Sequence, residues 1–167
     1  MNEYLKGWLQ ACAEAVVIVM FLYFVFFPVK VEGFSMFNTL SDGDRVFVSR
    51  VMTEMKLYQR GDIVVFKHEA AGKNQMMVKR VIAVDGERVR IENGNVYINE
   101  ELLHEDYVMG QTYGDIDVVV GKDKIFVMGD NREGSVDSRE LGAIDESEIR
   151  GRVMMKVYPF NKVAVYR

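Results

Sequence analysis

Cysteine, histidine and proline are nearly missing from this chain of 167 residues, which holds one, two and two of them. The single cysteine, Cys12, permits no intrachain disulfide and no cysteine-rich metal site. Cys12 also falls inside a hydrophobic segment, where a lone thiol behaves as a small apolar residue. The two histidines, His68 and His104, both sit in charged, loop-like settings, so a histidine-based triad lacks a convincing base. A broad basic surface is missing as well: the formal net charge is -4 and the isoelectric point about 5.3, which speaks against nucleic acid as a partner. Neither a metal nor a cofactor is suggested by this composition. Internal repeats and low-complexity tracts are absent too. The charged fraction of 28% is ordinary for a soluble part and too high for a polytopic membrane protein. The length suits one domain-sized unit, with or without an insertion, and is enough to bury a real core.

What is present begins with a hydrophobic segment. From Trp8 to Phe27 runs a stretch of 20 residues, and from Ala15 onward every one of them is apolar or aromatic. About 20 residues of helix cross a hydrocarbon core of about 30 Å, so the segment is read as an uncleaved membrane anchor. A cleaved signal peptide would need a small-x-small site after its apolar core, whereas Phe26-Phe27-Pro28-Val29-Lys30 follows here. A buried core helix would show a polar face, and the Val/Ile/Phe content shows none. Glu14 is shallow enough in the segment to reach the interface. Lys6 and Lys30 flank the segment almost symmetrically, so charge alone leaves its orientation open.

Beyond the anchor the pattern turns to short apolar runs rich in β-branched residues: Arg45 to Val48, Ile63 to Phe66, Met77 to Val84 and Ile125 to Met128. Turns such as Asp42-Gly43-Asp44 and Gly61-Asp62 bound them. Val153 to Tyr158 and Val163 to Tyr166, separated by Pro159 to Lys162, predict a closing hairpin. No long helical period occurs after the anchor, apart from a turn around Asp145 to Glu148. Between Gly86 and Val118 the character shifts: Val89 and Ile91 alternate with Arg88, Arg90 and Glu92, then Asn93-Gly94 offers a type I′ turn. The acidic stretch Glu100 to Asp106 reads as a solvated loop. The expected fold is mainly β, with an N-terminal transmembrane helix, a β-rich core and a small inserted β-subdomain. The expected division is 1–30 for a short N-terminus and anchor, 31–85 and 119–167 for the two parts of the core, and 86–118 for the insert.

Three stretches carry candidate chemistry. In Gly33-Phe34-Ser35-Met36-Phe37-Asn38-Thr39-Leu40, Gly33 permits unusual backbone angles, so amides near the Ser35 hydroxyl can point at a developing oxyanion. Lys79 lies in a run whose two faces, Met77/Lys79/Val81/Ala83 and Val78/Arg80/Ile82/Val84, are both mostly apolar. Covering both faces would desolvate its ammonium and lower its pKa toward that of an amine able to accept a serine proton. The bland alternative is an edge lysine reaching water. Arg80, on the opposite face, needs an acid partner or solvent. The third stretch, Gly129 to Arg139, packs two aspartates, two arginines and two serines into a loop. There Asp137 and Arg139 are spaced for an ion pair, and Ser135 is placed to accept from an amine.

These residues resemble the type I signal peptidases, the Ser-Lys enzymes that remove signal peptides from exported proteins. The likeness runs in order through Gly33-Phe34-Ser35-Met36 with Thr39-Leu40, Arg60-Gly61-Asp62-Ile63-Val64-Val65-Phe66, Val78-Lys79-Arg80-Val81-Ile82, and Gly129-Asp130-Asn131-Arg132 with Ser135, Asp137, Ser138, Arg139 and Gly142. The resemblance implies Ser35 as nucleophile and Lys79 as general base, with Ser135 holding the lysine amine and Asp137 and Arg139 bracing the site. It also implies an oxyanion hole of backbone N–H, since Gly33 stands where some members carry a serine. One anchor and a short accessory subdomain are similar to the Gram-positive branch, while a lysine base differs from the endoplasmic-reticulum branch. By the same resemblance the partners are signal peptides of secreted preproteins and membrane lipid. The N-terminus is then cytoplasmic and the catalytic domain extracytoplasmic. Asn38 and Asp85 replace prolines usual in the family, so a perturbed serine loop with an intact dyad is expected. Rival readings are a silent membrane-tethered binding protein and a self-cleaving regulator, the latter disfavoured by the anchor.

Overall fold

The computed structural model describes residues 3–51, 55, 58–70 and 72–166, so the outermost residues of the expected segments 1–30 and 119–167 lie outside it. Helix α1 spans Glu3–Val25. Its Glu3–Tyr23 stretch is long and apolar enough to cross a membrane and is nowhere buried against the rest of the chain. The helix ends before the apolar run does. At Phe26–Lys30 the chain becomes strand β1, paired antiparallel with β2 (Arg45–Ser49) so that Pro28 lies opposite Phe47. The anchor expected to reach Phe27 therefore yields its last two residues to a sheet. Aromatic and β-branched residues suit a strand, and Pro28 is tolerated because β1 is the edge, where a missing N–H breaks no inner ladder.

The remaining strands are β3 (Ile63–Ala70), β4 (Lys73–Ala83), β5 (Arg88–Glu92), β6 (Asn95–Ile98), β7 (Glu101–Leu102), β8 (Ile116–Val119), β9 (Lys124–Met128), β10 (Ile144–Asp145), β11 (Ile149–Tyr158) and β12 (Ala164–Val165). A large sheet runs in the order β1-β2-β11-β3-β4-β9-β10, with β12 folded back on β11 as the closing hairpin. A small sheet runs β7-β6-β5-β8, and its β5–β6 hairpin turns at Asn93-Gly94, both at positive φ as a type I′ turn requires. The polar stretch around His68 is no loop: β3 and β4 stay paired from Ile63↔Arg80 out to Ala70↔Lys73. A short helix α2 (Ser138–Leu141), capped by the Asp137 side chain, follows the third candidate stretch.

Three apolar clusters form the interior. Ile82, Ala83, Phe126 and Met128 of the large sheet meet Val89, Ile91, Val96 and Ile98 of the small one, which joins the two sheets. Val78 packs on the cluster of Ile63, Val65, Met36 and Leu40, while Met77 and Val81 belong with Val64 and Phe66. Strand β4 is thus covered on both sides, and each fully buried aliphatic side chain there contributes about 1.5–3 kcal/mol. Lys79 and Arg80 open the buried half of this strand, which runs on to Ala83.

Candidate active site

The turn that carries Ser35 is a closed unit. Leu40 and Thr39 both donate backbone N–H to the Met36 carbonyl, at 2.7 and 3.1 Å, and the Met36 side chain is buried beneath them. Asp42 Oδ1 accepts from the Gly33 amide at 2.9 Å, which fixes the approach to the turn; Gly33 has φ +88°, the left-handed region glycine enters freely. The Asp44 carboxylate closes the far end by accepting from the Ser41 amide. Asn38 stands at φ 91° and its Nδ2 donates to the Tyr107 carbonyl at 3.3 Å.

Lys79 is 3% exposed, and its Nζ lies 2.7 Å from Ser35 Oγ. Burial lowers its pKa from 10.5 to about 8; the carboxylates of Asp137 and Asp130 pull it back up and the Arg139 guanidinium pushes it down. At that value about a tenth of the amine is neutral at pH 7. The adjacent Arg80 finds the acid partner its position demanded. Its Nε and Nη2 make a paired contact with Asp130 at 2.9 and 2.7 Å, and Nη1 donates to the Gly61 carbonyl. Desolvation opposes this guanidinium's charge, but its hydrogen bonds to Asp130 and that carboxylate's charge outweigh the loss and hold it protonated. The two cationic side chains, neighbours in sequence, are thus treated in opposite ways.

The stretch after β9 closes over the serine. Asn131 donates its backbone N–H to the Ser35 carbonyl at 3.0 Å and its Nδ2 to the Phe34 carbonyl at 3.1 Å. Gly129 lies so close that a Cβ there would stand 2.5 Å from the Ser35 carbonyl oxygen and 2.2 Å from Ser135 Oγ. Asp137 is fully buried and accepts from Gly129 N–H at 2.9 Å, Ser135 Oγ at 2.8 Å and Arg139 Nε at 2.8 Å. Ser135 spends its proton on Asp137, leaving its oxygen free to accept. Arg139 also donates to the carbonyls of Arg132 and Ser135, so the loop is laced to itself.

Ser35, Lys79, Ser135, Asp137 and Arg139 therefore converge, although 44 residues separate Ser35 from Lys79. No local pattern marks Asn131, Asp130 or Glu105 for a part in this site. Glu105, expected in a solvated loop, takes both terminal nitrogens of the buried Arg132, which also donates to Thr112 Oγ1 at 2.7 Å. Beside Ser35 and Lys79 opens a cleft of about 660 Å³ whose lining includes Val29, Val31, Met77, Val78 and Val136. Among the described residues no cluster of His, Cys, Asp or Glu is arranged to hold a metal.

The chain is similar to known proteins over nearly its whole length. The family described as "Signal peptidase, peptidase S26" matches residues 5–158. Signal peptidase I of Bacillus licheniformis is 37% identical over 171 residues, covering 93% of this chain and 90% of the relative. Signal peptidase I T of Bacillus subtilis is 38% identical over 175 residues, with 97% and 89% covered. Signal peptidase IB of Staphylococcus aureus is 36% identical over 183 residues, with 97% and 94% covered. The crystal structure of a signal peptidase I from Enterococcus faecalis aligns with a TM-score of 0.50 at 30% identity, covering 57% of this chain and 95% of that one. Fold, motif order and full-length similarity to Gram-positive enzymes coincide, and the chain belongs to the signal peptidase I family of S26 serine peptidases.

Proposed function

We propose that Ser35 and Lys79 form the catalytic dyad of a membrane-anchored endopeptidase that removes signal peptides from exported preproteins. The observation that carries this is the buried Lys79 amine, 2.7 Å from Ser35 Oγ with its pKa lowered to about 8. Neutral Lys79 takes the Ser35 proton as Oγ bonds to the scissile carbonyl carbon. The tetrahedral oxyanion is met by backbone N–H, chiefly that of Ser35, which among the described residues is bonded to no other acceptor. On collapse the C–N bond breaks and the Lys79 ammonium gives its proton to the departing amine. The same lysine then deprotonates the water that attacks the acyl-enzyme, and returns that proton to Ser35 Oγ as it leaves. Ser135 accepts from the ammonium between these steps. Asp137 and Arg139 keep the Ser135 hydroxyl turned the right way.

The substrate lies extended along the cleft, between Val29 to Ser35 on one side and Asn74 to Lys79 on the other. Apolar side chains such as Val31, Met77 and Val136 leave room for small residues at the first and third positions before the cut. In this reading residues 86–118 are an inserted subdomain, the N-terminus is cytoplasmic, and the catalytic part faces the outside, where the emerging signal peptide already lies in lipid.

The test is cleavage of a purified preprotein in detergent or lipid by the wild-type chain, Ser35→Ala and Lys79→Ala. Release of the mature protein by wild type, with loss on the order of 10⁴-fold or more in either variant, is expected. A Ser35→Ala variant that still cleaves at the wild-type rate overturns the assignment.

A further inference from the structure

Thr39, four residues after Ser35, is where the serine turn is gripped from outside. Its hydroxyl donates to Asp130 Oδ2 and accepts from Arg80 Nη2, and its amide is tied within the turn to the Met36 carbonyl. Its carbonyl oxygen receives two donors from far along the chain: Lys156 Nζ at 3.1 Å and the Tyr166 hydroxyl at 3.3 Å. Lys156, on β11, is 8% exposed, and its ammonium also reaches Asp44 Oδ2 at 3.2 Å. Asp44 is the residue that closes the far end of the turn through the Ser41 amide. One buried cation therefore bridges a carbonyl inside the serine turn and the carboxylate that ends it. A buried charge is unfavourable unless it is paired and hydrogen-bonded, and both partners of this one belong to the serine turn or its closure. The dyad chemistry proposed above has no step for a second lysine.

We infer that Lys156, assisted by Tyr166, is a positioning residue for the nucleophile, an inference that rests on the assignment of Ser35 and Lys79 as the dyad. The turn moves as one piece, because Thr39 and Leu40 are both bonded to the Met36 carbonyl, next to Ser35. Asn131 holds the leading end at Phe34 and Ser35; Lys156 and Tyr166 hold the trailing end at Thr39. Lys79 arrives on β4, whose two neighbours in the sheet are β3 and β9; the tie from that strand to Thr39 runs from Arg80 to the hydroxyl, not to the carbonyl that Lys156 holds. Loosening the trailing clamp therefore shifts the serine relative to its base and leaves the base where it was. A misplacement of about 1 Å in reacting groups is worth about 10²-fold in rate.

The experiment measures kcat and KM for preprotein cleavage in detergent with the full chain, comparing wild type, Lys156→Met, Lys156→Arg and Tyr166→Phe, with thermal unfolding and a pH–rate profile on the same samples. Lys156→Met is expected to lower kcat about 10-fold or more with KM within about twofold. Its ascending pH limb should keep the wild-type midpoint, because Lys79 keeps its surroundings. Lys156→Arg recovers most of the loss, and Tyr166→Phe, missing one donor, lowers kcat about threefold. A folded Lys156→Met with unchanged kcat, a loss confined to KM, or a Lys156→Arg no better than Lys156→Met overturns the inference. Should Lys156→Met fail to fold, unchanged kcat in Tyr166→Phe overturns it. Ser35→Ala separates the two levels: if it cleaves, the dyad reading falls; if it is dead while Lys156→Met has full kcat, only the clamp falls.

Discussion

At Lys79 the desolvation of one amine is set against the pull of the Asp137 and Asp130 carboxylates, and desolvation prevails, leaving the group at about 8 instead of 10.5. Two consequences follow from that single displacement. In the proposed dyad only the neutral amine accepts the serine proton, so cleavage rates should rise with pH along a limb whose midpoint in kcat/KM lies near pH 8. Stability should also depend on this group. Folding weakens its hold on the proton, so protonation favours the unfolded chain; the penalty is full below about pH 8 and is relieved as pH rises from there towards 10.5. Lys79→Met, similar in length and uncharged, is then more stable than wild type at pH 7 by about 2–4 kcal/mol, a gap that narrows between about pH 8 and 10.5. Denaturant unfolding of both proteins at pH 7 and 10.5 checks this. An equal gap at both pH values would mean that burial of the charge is not what the residue's position costs. The desolvation behind it was legible in the sequence, because apolar neighbours on both faces of one strand leave a lysine little water. Glu105 was not legible, because an acid in an acidic stretch gives no sign of a buried arginine 27 residues away.

Among the elements, the serine turn departs most from what its motif suggests. A proline after Ser-Met-x pre-sets φ near −65°, whereas Asn38 occupies φ 91° and uses its side chain to reach Tyr107. The turn has therefore settled into a form that a proline cannot enter. Asn38→Pro should cost more than 1 kcal/mol, on the order of 1–3 kcal/mol, and slow cleavage, while Asn38→Gly, free of the left-handed penalty, should stay within about 1 kcal/mol of wild type. Urea unfolding and cleavage rates on the pair decide; a stabilised Asn38→Pro would show that the turn still prefers the proline form. The same contrast explains which elements the sequence exposed. The β5–β6 hairpin was readable because Asn93-Gly94 has few conformations that suit it. The start of β1 was hidden, because Phe26 and Phe27 continue the helix's apolar run and periodicity does not separate a short buried strand from a helix end. Asn38 was readable as a departure, but the partner of its side chain is the Tyr107 carbonyl, which no local pattern contains.

At the scale of the whole molecule, the anchor and the folded part are joined end to end without sharing an interior. Every core cluster is built from residues at or after Phe27, while large apolar side chains from Tyr4 to Tyr23 stand exposed along α1. Helix and sheet touch at one seam, where Arg50 N–H donates to the Val25 carbonyl at 3.1 Å and the Arg50 guanidinium lies 4.6 Å from the Phe27 ring centre. At this seam Val19, Leu22, Phe26, Phe47, Met155 and Val165 line one apolar cleft, so apolar surface continues from the helix onto the sheet. Such a layout lets the anchor contribute location and leaves folding and chemistry to the rest. A fragment beginning at Val25 should then unfold within about 0.5 kcal/mol of the full chain in the same detergent, because among the described residues no buried side chain is lost. It should cleave a short soluble peptide at the full-length rate. Against a preprotein embedded in vesicles it should fall behind by about 10²-fold or more, because a tether converts encounter into an intramolecular event at about millimolar effective concentration. Loss of peptide cleavage in a folded fragment would show instead that α1 shapes the Ser35 cleft through β1, since Val29 and Val31 line that cleft and follow the helix directly.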